Sequence, residues 1–261
     1  MAKPVYFISD LHLGAPSLTV DFEARRRDEL LKFLDMVVQN AGRLIIDGDL
    51  FDFWYEYKYV IPKNYFWLYV KLKELVEKGI KVDYIAGNHD FFLGEFFSKS
   101  VGLNVFQDGF SEDMNGKKFL IIHGDGLAVK DSGYRMLKRI LRNGFTRSVI
   151  RWIHPDIGFS LAKAFSKKSR EYTSNKDFGE TDGMTLFAQE KLKDGYDFVV
   201  MGHNHVPKVE QYGKGIYVNL GDWLKNFTYG VFDGYMMQLV KWKFVRMDPF
   251  GTVSDEWRST Q

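Results

Sequence analysis

Val5-Tyr6-Phe7-Ile8-Ser9-Asp10-Leu11-His12 is a short apolar, β-rich run that ends at once in an aspartate and a histidine. The same order returns along the chain. Leu44 to Ile46 leads to Gly48-Asp49, and Val82-Asp83-Tyr84-Ile85 to Gly87-Asn88-His89-Asp90. Phe119 to Ile122 leads to His123-Gly124-Asp125, and Phe198 to Met201 to Gly202-His203-Asn204-His205. Runs of this composition read as strands. Alternation with helical patterns argues an α/β layered core. In open α/β sheets the carboxyl ends of strands share one crevice, so these segments are expected to converge.

The spacing predicts strands over 5–9, 43–47, 81–86, 118–123, 197–201 and 216–219, with another near 103–106. Helices are predicted over about 22–40, 64–78 and 180–193, with a short one from Gly94. A closing β-hairpin is expected over about 228–247 around Phe232-Asp233-Gly234-Tyr235, and the later hairpins point to a second, more mixed sheet. No repeat, low-complexity tract or linker divides the chain, so residues 1–261 read as a single domain.

Asp10 and His12 are two apart at a strand end, where alternate side chains point the same way, and His203 and His205 repeat that spacing. A carboxylate such as Asp49 has lone pairs enough to bridge two cations. Asn88 offers an amide oxygen and His123 another imidazole. One division gives a first metal Asp10, His12, Asp49 and His205, and a second Asp49, Asn88, His123 and His203. Five of the six histidines lie in these segments, which random scatter does not produce. The sixth, His154 before Pro155, reads as structural.

Two cations ~3.5–4 Å apart hold a phosphoryl group, activate water near neutral pH and stabilise both attacking and leaving oxygens. The reaction class is therefore hydrolysis of a phosphoester or phosphoanhydride. His89, beside Asn88, is the candidate catalytic donor of a proton or hydrogen bond to the phosphoryl or leaving oxygen. Asp90 is placed to orient the turn or an imidazole from behind.

With no cysteine, thiolate zinc sites and disulfides are excluded, and any metal binds through nitrogen and oxygen. Met1-Ala2-Lys3-Pro4 leads straight into the first strand, and no apolar run reaches the ~20 residues of a membrane span. A cytoplasmic protein is expected. Net charge is only +2, unlike a strongly basic nucleic-acid binder. Yet Arg135 to Lys176 holds 11 Lys or Arg against Asp156 and Glu171, interleaved with apolar residues. Gly144, His154-Pro155 and Gly158 are expected to break this insertion, about 127–176, into short helices. It reads either as a membrane-surface or anionic-ligand element or as a solvated basic face on packed helices.

From Phe51 to Val70 the chain is rich in aromatic residues. Most of these rings are expected in the core, while Phe51 and Trp54, nearest Asp49, are candidates to line a pocket mouth for an apolar or ring-shaped substrate.

The set Ser9-Asp10-Leu11-His12-Leu13, Gly48-Asp49-Leu50-Phe51-Asp52, Gly87-Asn88-His89-Asp90, His123-Gly124-Asp125 and Gly202-His203-Asn204-His205 resembles the full motif set of calcineurin-like metallophosphoesterases. That resemblance implies a four-layer α/β/β/α sandwich with two divalent metals, often manganese, iron or zinc. Within the family the chain is most similar to the UDP-2,3-diacylglucosamine diphosphatases of lipid A biosynthesis. The likeness rests on Gly48-Asp49-Leu50-Phe51-Asp52-Phe53-Trp54, Gly87-Asn88-His89-Asp90-Phe91, His123-Gly124-Asp125-Gly126-Leu127, and Leu220-Gly221-Asp222-Trp223. It rests also on Asp131 with Tyr134 and on Lys168-Ser169-Arg170 with Lys176.

This likeness implies cleavage of the pyrophosphate of a UDP-linked diacyl sugar to UMP and the acylated sugar 1-phosphate, with manganese as usual cofactor. The insertion would be a helical cap over acyl chains. Asn88, Asp131, Tyr134, Ser169, Arg170 and Lys176 would contact sugar and phosphates. It further implies a cytoplasmic enzyme peripheral to the inner membrane, with no nucleic acid and no obligate protein partner. On spacing alone, Asp131 and Tyr134 read equally as a helix cap and a packed ring. The chain departs from the best-known members at His89, where they carry Arg, and at Asn204 and Val206, where Thr and Arg are frequent. A divergent branch with the same reaction and a shifted lipid or nucleotide substrate both fit that departure. A soluble phosphodiesterase or phosphomonoesterase is the competing enzyme, and a non-catalytic scaffold has no need of so many intact ligand positions.

Overall fold

A computed structural model describes residues 3–90, 92–127, 143–150, 152–161, 164 and 180–243. Among them, β1 (Val5–Ile8), β2 (Arg43–Asp47) and β3 (Lys81–Ile85) lie parallel in register, with Ile8 beside Ile46 and Asp47 beside Ile85. β4 (Asn104–Phe106) extends this sheet on one side, and β10 (Thr228–Phe232) with β11 (Met237–Lys241) on the other. The second sheet runs in the order β5 (Phe110–Met114), β6 (Lys117–Ile121), β7 (Phe198–Met201), β9 (Gly215–Asn219), β8 (Lys208–Tyr212).

Period-two alternation decides which faces meet, because successive side chains on a strand point to opposite faces. Phe7, Ile45 and Ile85 pack with Phe119, Ile121, Val200 and Val218 in the core between the sheets. Their neighbours Ile8, Leu44, Ile46, Val82 and Tyr84 face the other way, onto α1 (Val20–Asn40) and α2 (Phe66–Glu77). Thr19 opens α1, its hydroxyl accepting from Phe22 N at 3.3 Å, and Asp21 and Glu23 complement the positive end of the first turn. On the outer face of the second sheet, Val199, Met201 and Tyr217 pack against Met184, Ala188 and Leu192. These last three belong to a helix over Glu180–Lys193. Helix, sheet, sheet and helix thus form four layers.

Three expectations change. Strands β5 and β8 were not expected, because both are polar edge strands with alternately exposed residues. A signal existed: Asn115-Gly116, with φ of 55° and 76°, is a primed-turn pair that announces the β5–β6 hairpin. The closing hairpin falls where expected, but β10 pairs antiparallel with β1 and so completes the first sheet rather than the second. In the insertion, α3 (Gly144–Ile150) begins at the expected glycine. Gly158, however, lies inside α4 (155–161) and breaks nothing: its N–H donates to His154 O at 2.9 Å. A Cβ there would strike the Tyr57 hydroxyl, so the glycine permits close packing. With these labels the helix over Glu180–Lys193 is α5.

Candidate metal centre

Each chemistry-bearing segment begins within a few residues of the end of β1, β2, β3, β6 or β7. The chain there does not stay extended. Asp10 (φ 53°), His12 (44°), Asp49 (51°), His203 (70°) and His205 (60°) all adopt left-handed backbone. This corrects the expectation that strand alternation aligns the pairs Asp10/His12 and His203/His205. A left-handed residue costs roughly 1–2 kcal/mol and persists where surrounding structure over-determines it. Such strain gathers at functional sites. Gly48 (φ 82°) continues the pattern, and a Cβ on it would collide with the His123 ring.

The seven predicted ligands converge. His12 Nε2 lies 3.1 Å from His205 Nε2 and 3.7 Å from Asp10 Oδ1, and His205 Nε2 lies 3.2 Å from that same oxygen. Asp49, His123 and His203 form a second cluster of donor atoms, and Asn88 Oδ1 sits 3.2 Å from His123 Nε2. Asp49 Oδ2 joins the two: it is 3.6 Å from His12 Nε2 and 3.4 Å from His123 Nε2. The other oxygen of Asp49 accepts from His89 N at 2.8 Å.

Three of the imidazoles have an oxygen near Nδ1. His123 Nδ1 is 2.8 Å from the Asp47 carbonyl, His12 Nδ1 is 3.7 Å from Asp52 Oδ1, and His205 Nδ1 is 3.8 Å from Asp222 Oδ2. A hydrogen bond from Nδ1 orients a ring so that its Nε2 lone pair serves a metal, and His123 makes that bond, while His12 and His205 have a carboxylate near Nδ1 at ion-pair distance. Asp10 Oδ1 is buried and accepts no hydrogen bond. A bare carboxylate oxygen beside two Nε2 atoms, with a shared carboxylate between clusters, fits a pair of divalent cations bound through nitrogen and oxygen.

The charges agree with that fit. Burial opposes ionisation of Asp10 and Asp49, yet the surrounding imidazoles hold both carboxyls well below the usual range. Burial likewise disfavours a charged His123, but Asp49 outweighs it and keeps that imidazole well above its ordinary value. A cluster that draws protons this strongly is an equally good receiver of metal charge.

His89 sits against both clusters, with its ring 4.6 Å from that of His12 and perpendicular to it. Its Nδ1 is 2.7 Å from the Asp52 carbonyl, so Nδ1–H donates there and Nε2 remains for another partner. Burial pushes His89 down to about 4, against the opposing pull of Asp49. Asp90 does orient the turn: it accepts from Gly87 N at 2.7 Å, Leu50 N at 2.7 Å and Asp49 N at 3.3 Å, and from the Tyr84 hydroxyl.

Other placements differ from expectation. Phe51 and Trp54 do not line a pocket mouth. Both are fully buried, and Trp54 packs among Phe51, Phe96, Phe97 and Tyr69 as a core residue. The rings beside the insertion are instead Tyr55, Tyr57 and Phe92, packed with Ile150 and Phe159, and Phe53 meets Phe159 edge-on at 5.3 Å. His154 Nδ1 accepts from Asp156 N at the start of α4. Asp131, Tyr134, Ser169, Arg170 and Lys176 lie outside the described residues.

The orienting groups Asp52 and Asp222 carried no predicted role, although both stand in recognised motifs. Asp47 escaped notice as well. Burial pushes its carboxyl up to about 8 against the pull of His123, with Asp10, Asp125 and Asp49 adding to the rise. A charged residue ending an apolar strand was its only signal.

Comparison with known proteins agrees with this geometry. The chain is 31% identical over 259 residues to a protein of Porphyromonas gingivalis named UDP-2,3-diacylglucosamine hydrolase, covering 92% of this chain and 97% of that one. A protein of the same name from Haemophilus influenzae is 30% identical over 233 residues, covering 87% and 93%. One from Neisseria meningitidis is 29% identical over 230 residues, covering 87% and 92%. The family profile for calcineurin-like phosphoesterases matches residues 3–207, a span that contains every residue of both clusters, and the chain belongs to that family.

Proposed function

We propose that this chain hydrolyses the pyrophosphate of UDP-2,3-diacylglucosamine, releasing UMP and 2,3-diacylglucosamine 1-phosphate, with two divalent cations, in the first instance manganese. The observation that carries the chemistry is Asp49 Oδ2, within 3.6 Å and 3.4 Å of imidazoles from two separate clusters. Asp10, His12, Asp49 and His205 would hold one cation, and Asp49, Asn88, His123 and His203 the other. When bound, such a pair supplies Lewis-acid charge to the phosphoryl oxygens and to the attacking water. The protein contributes orientation. The Asp47 carbonyl behind Nδ1 fixes His123, and Asp90 fixes the turn that carries Asn88 and His89. His89, tethered through Nδ1–H to the Asp52 carbonyl, would donate from Nε2 to a phosphoryl or leaving oxygen only as the imidazolium, a form that the negative charge of a bound phosphate favours.

Likeness to the named hydrolases, 31% and 30% identical over most of the chain, supports the lipid-linked substrate. So does the insertion. Its described helices pack on the aromatic loop that follows Asp52, and they leave Trp152, Ile157 and Leu161 exposed. We assign the insertion, about 127–176, as a cap over the acyl chains. There Asp131, Tyr134, Ser169, Arg170 and Lys176 would meet sugar and phosphate. Among the described residues no helix is long and apolar enough to cross a membrane. Exposed Trp152 and Tyr59 beside a basic stretch support peripheral contact with an anionic membrane surface.

The test is hydrolysis by manganese-loaded protein of UDP-2,3-diacylglucosamine and of a small chromogenic phosphodiester. Fast release of UMP with slow cleavage of the small ester is expected. The opposite ratio would favour a phosphodiesterase of soluble substrates. Deleting residues 127–176 should abolish lipid turnover and spare the small ester; surviving lipid turnover would refute the cap.

A further inference from the structure

Arg26 lies in the first turns of α1, outside every motif, and its side chain is almost completely buried. A guanidinium has five N–H donors in a rigid fork, and here four hydrogen bonds leave it. Nε donates to Glu23 Oε2 at 3.0 Å, and Nη2 lies 2.7 Å from the same oxygen in an ion pair. Nη1 donates to the carbonyls of Leu11 and of Trp223, the latter at 3.2 Å, and Nη2 also donates to the carbonyl of His12 at 3.1 Å. Glu23 turns its other oxygen to Gly14 N at 2.8 Å.

The acceptors surround one cluster. Leu11 and His12 belong to the segment in which Asp10 and His12 are left-handed. Trp223 N donates back to Asp10 O at 3.1 Å, and Trp223 follows Asp222, the carboxylate behind His205. One side chain thus ties the Asp10–His12 turn to the segment that backs His205. None of these hydrogen bonds reaches Asn88, His123 or His203.

We infer that Arg26, held by Glu23, is a positioning residue that fixes the backbone of the first cluster and so sets its metal affinity separately from that of the second. The inference rests on the reading that Asp10, His12 and His205 hold a cation. Lysine keeps the charge but offers a point donor in place of the fork, so it cannot reach three carbonyls and a carboxylate at once.

The experiment is titration of metal-stripped protein with Mn2+, followed by calorimetry and by the spin signal of the ion. Wild type should bind two ions. Arg26→Lys should weaken one class of site by ~10–100-fold, the usual penalty for losing an outer support, and leave the other unchanged. The weakened class should be the one missing from His205→Ala and present in His123→Ala. Glu23→Gln, a milder change on a partly exposed residue, should weaken the same class less, and it decides the matter if Arg26→Lys does not fold. Wild-type affinity at both sites in folded variants would overturn the inference, as would equal weakening of both sites. Wild-type protein that binds no manganese would overturn the metal reading itself, and the inference with it.

Discussion

The two clusters are built from the same donor types but are supported differently. Behind the first stand side chains: Asp52 for His12, Asp222 for His205, and Arg26 for the turn between Asp10 and His12. Behind His123 in the second stands a backbone carbonyl, that of Asp47, in a residue paired with Ile85 inside the sheet. A carbonyl in a sheet is as rigid as the fold, and no substitution removes it. A side-chain support is adjustable one residue at a time. The clusters differ in charge as well, since the first has Asp10 and Asp49 as carboxylates and the second shares Asp49 and adds the neutral Asn88. The backing of His12 and His205 is therefore tunable and that of His123 fixed, although the turn that carries Asn88 still rests on the Asp90 side chain.

The comparison breaks most completely at the shared residue. Asp49→Asn removes the charge common to both clusters, so both ions should be lost together and kcat/KM should fall on the order of 10⁴-fold. Metal content and phosphodiester hydrolysis measured on one preparation check this. Retention of a full complement of ions would show that Asp49 is not the bridge.

His89→Ala tests the group that belongs to neither cluster. Turnover should fall ~10²–10⁴-fold, the range for a lost general acid or hydrogen-bond donor, while both ions remain. Unchanged turnover would remove the catalytic role, and loss of an ion would make His89 a ligand instead.

Asp222→Asn separates the clusters. The carboxylate backs His205 through Nδ1 and also accepts from Leu224, Lys225 and Asn226 N–H groups at 2.7, 2.6 and 3.1 Å. An amide keeps the turn but weakens the charge behind the ring. Affinity at the first cluster should fall ~10–100-fold with the second untouched. Equal loss at both would erase the distinction between adjustable and fixed support.

How legible these arrangements were in the sequence follows from what each is made of. The ligands were legible because histidine is scarce and five of the six stand at strand ends. The layers were legible because Phe7 and Ile8, or Ile45 and Ile46, alternate between two apolar environments. Supports were not legible. The carbonyls of Asp47 and Asp52 are groups that every residue owns, and Arg26 reads as one more charge in Arg25-Arg26-Arg27. Left-handed backbone at Asp10 and His12 leaves no mark in residue type. Trp54 was misplaced for the opposite reason. A large ring beside a ligand suits a pocket and a core equally, and only the packing of Phe97 and Tyr69 around it decides.

The smallest effect is expected at Ser9, where the supports of the two clusters touch. Its hydroxyl lies 2.5 Å from Asp10 Oδ2 and 2.7 Å from the Asp47 carbonyl, the same carbonyl that receives His123 Nδ1. One hydroxyl has one hydrogen, so it serves one cluster at a time. Asp10 is the stronger acceptor because its carboxyl is held in the charged form, and a hydrogen bond to a charged group outweighs one to a carbonyl. Ser9→Ala should therefore cost about 1 kcal/mol, a roughly fivefold loss of affinity, at the first cluster alone. A loss confined to the second cluster would place that hydrogen on the Asp47 carbonyl. His123 would then also depend on a replaceable side chain, and the contrast between its backing and that of His12 and His205 would be one of degree.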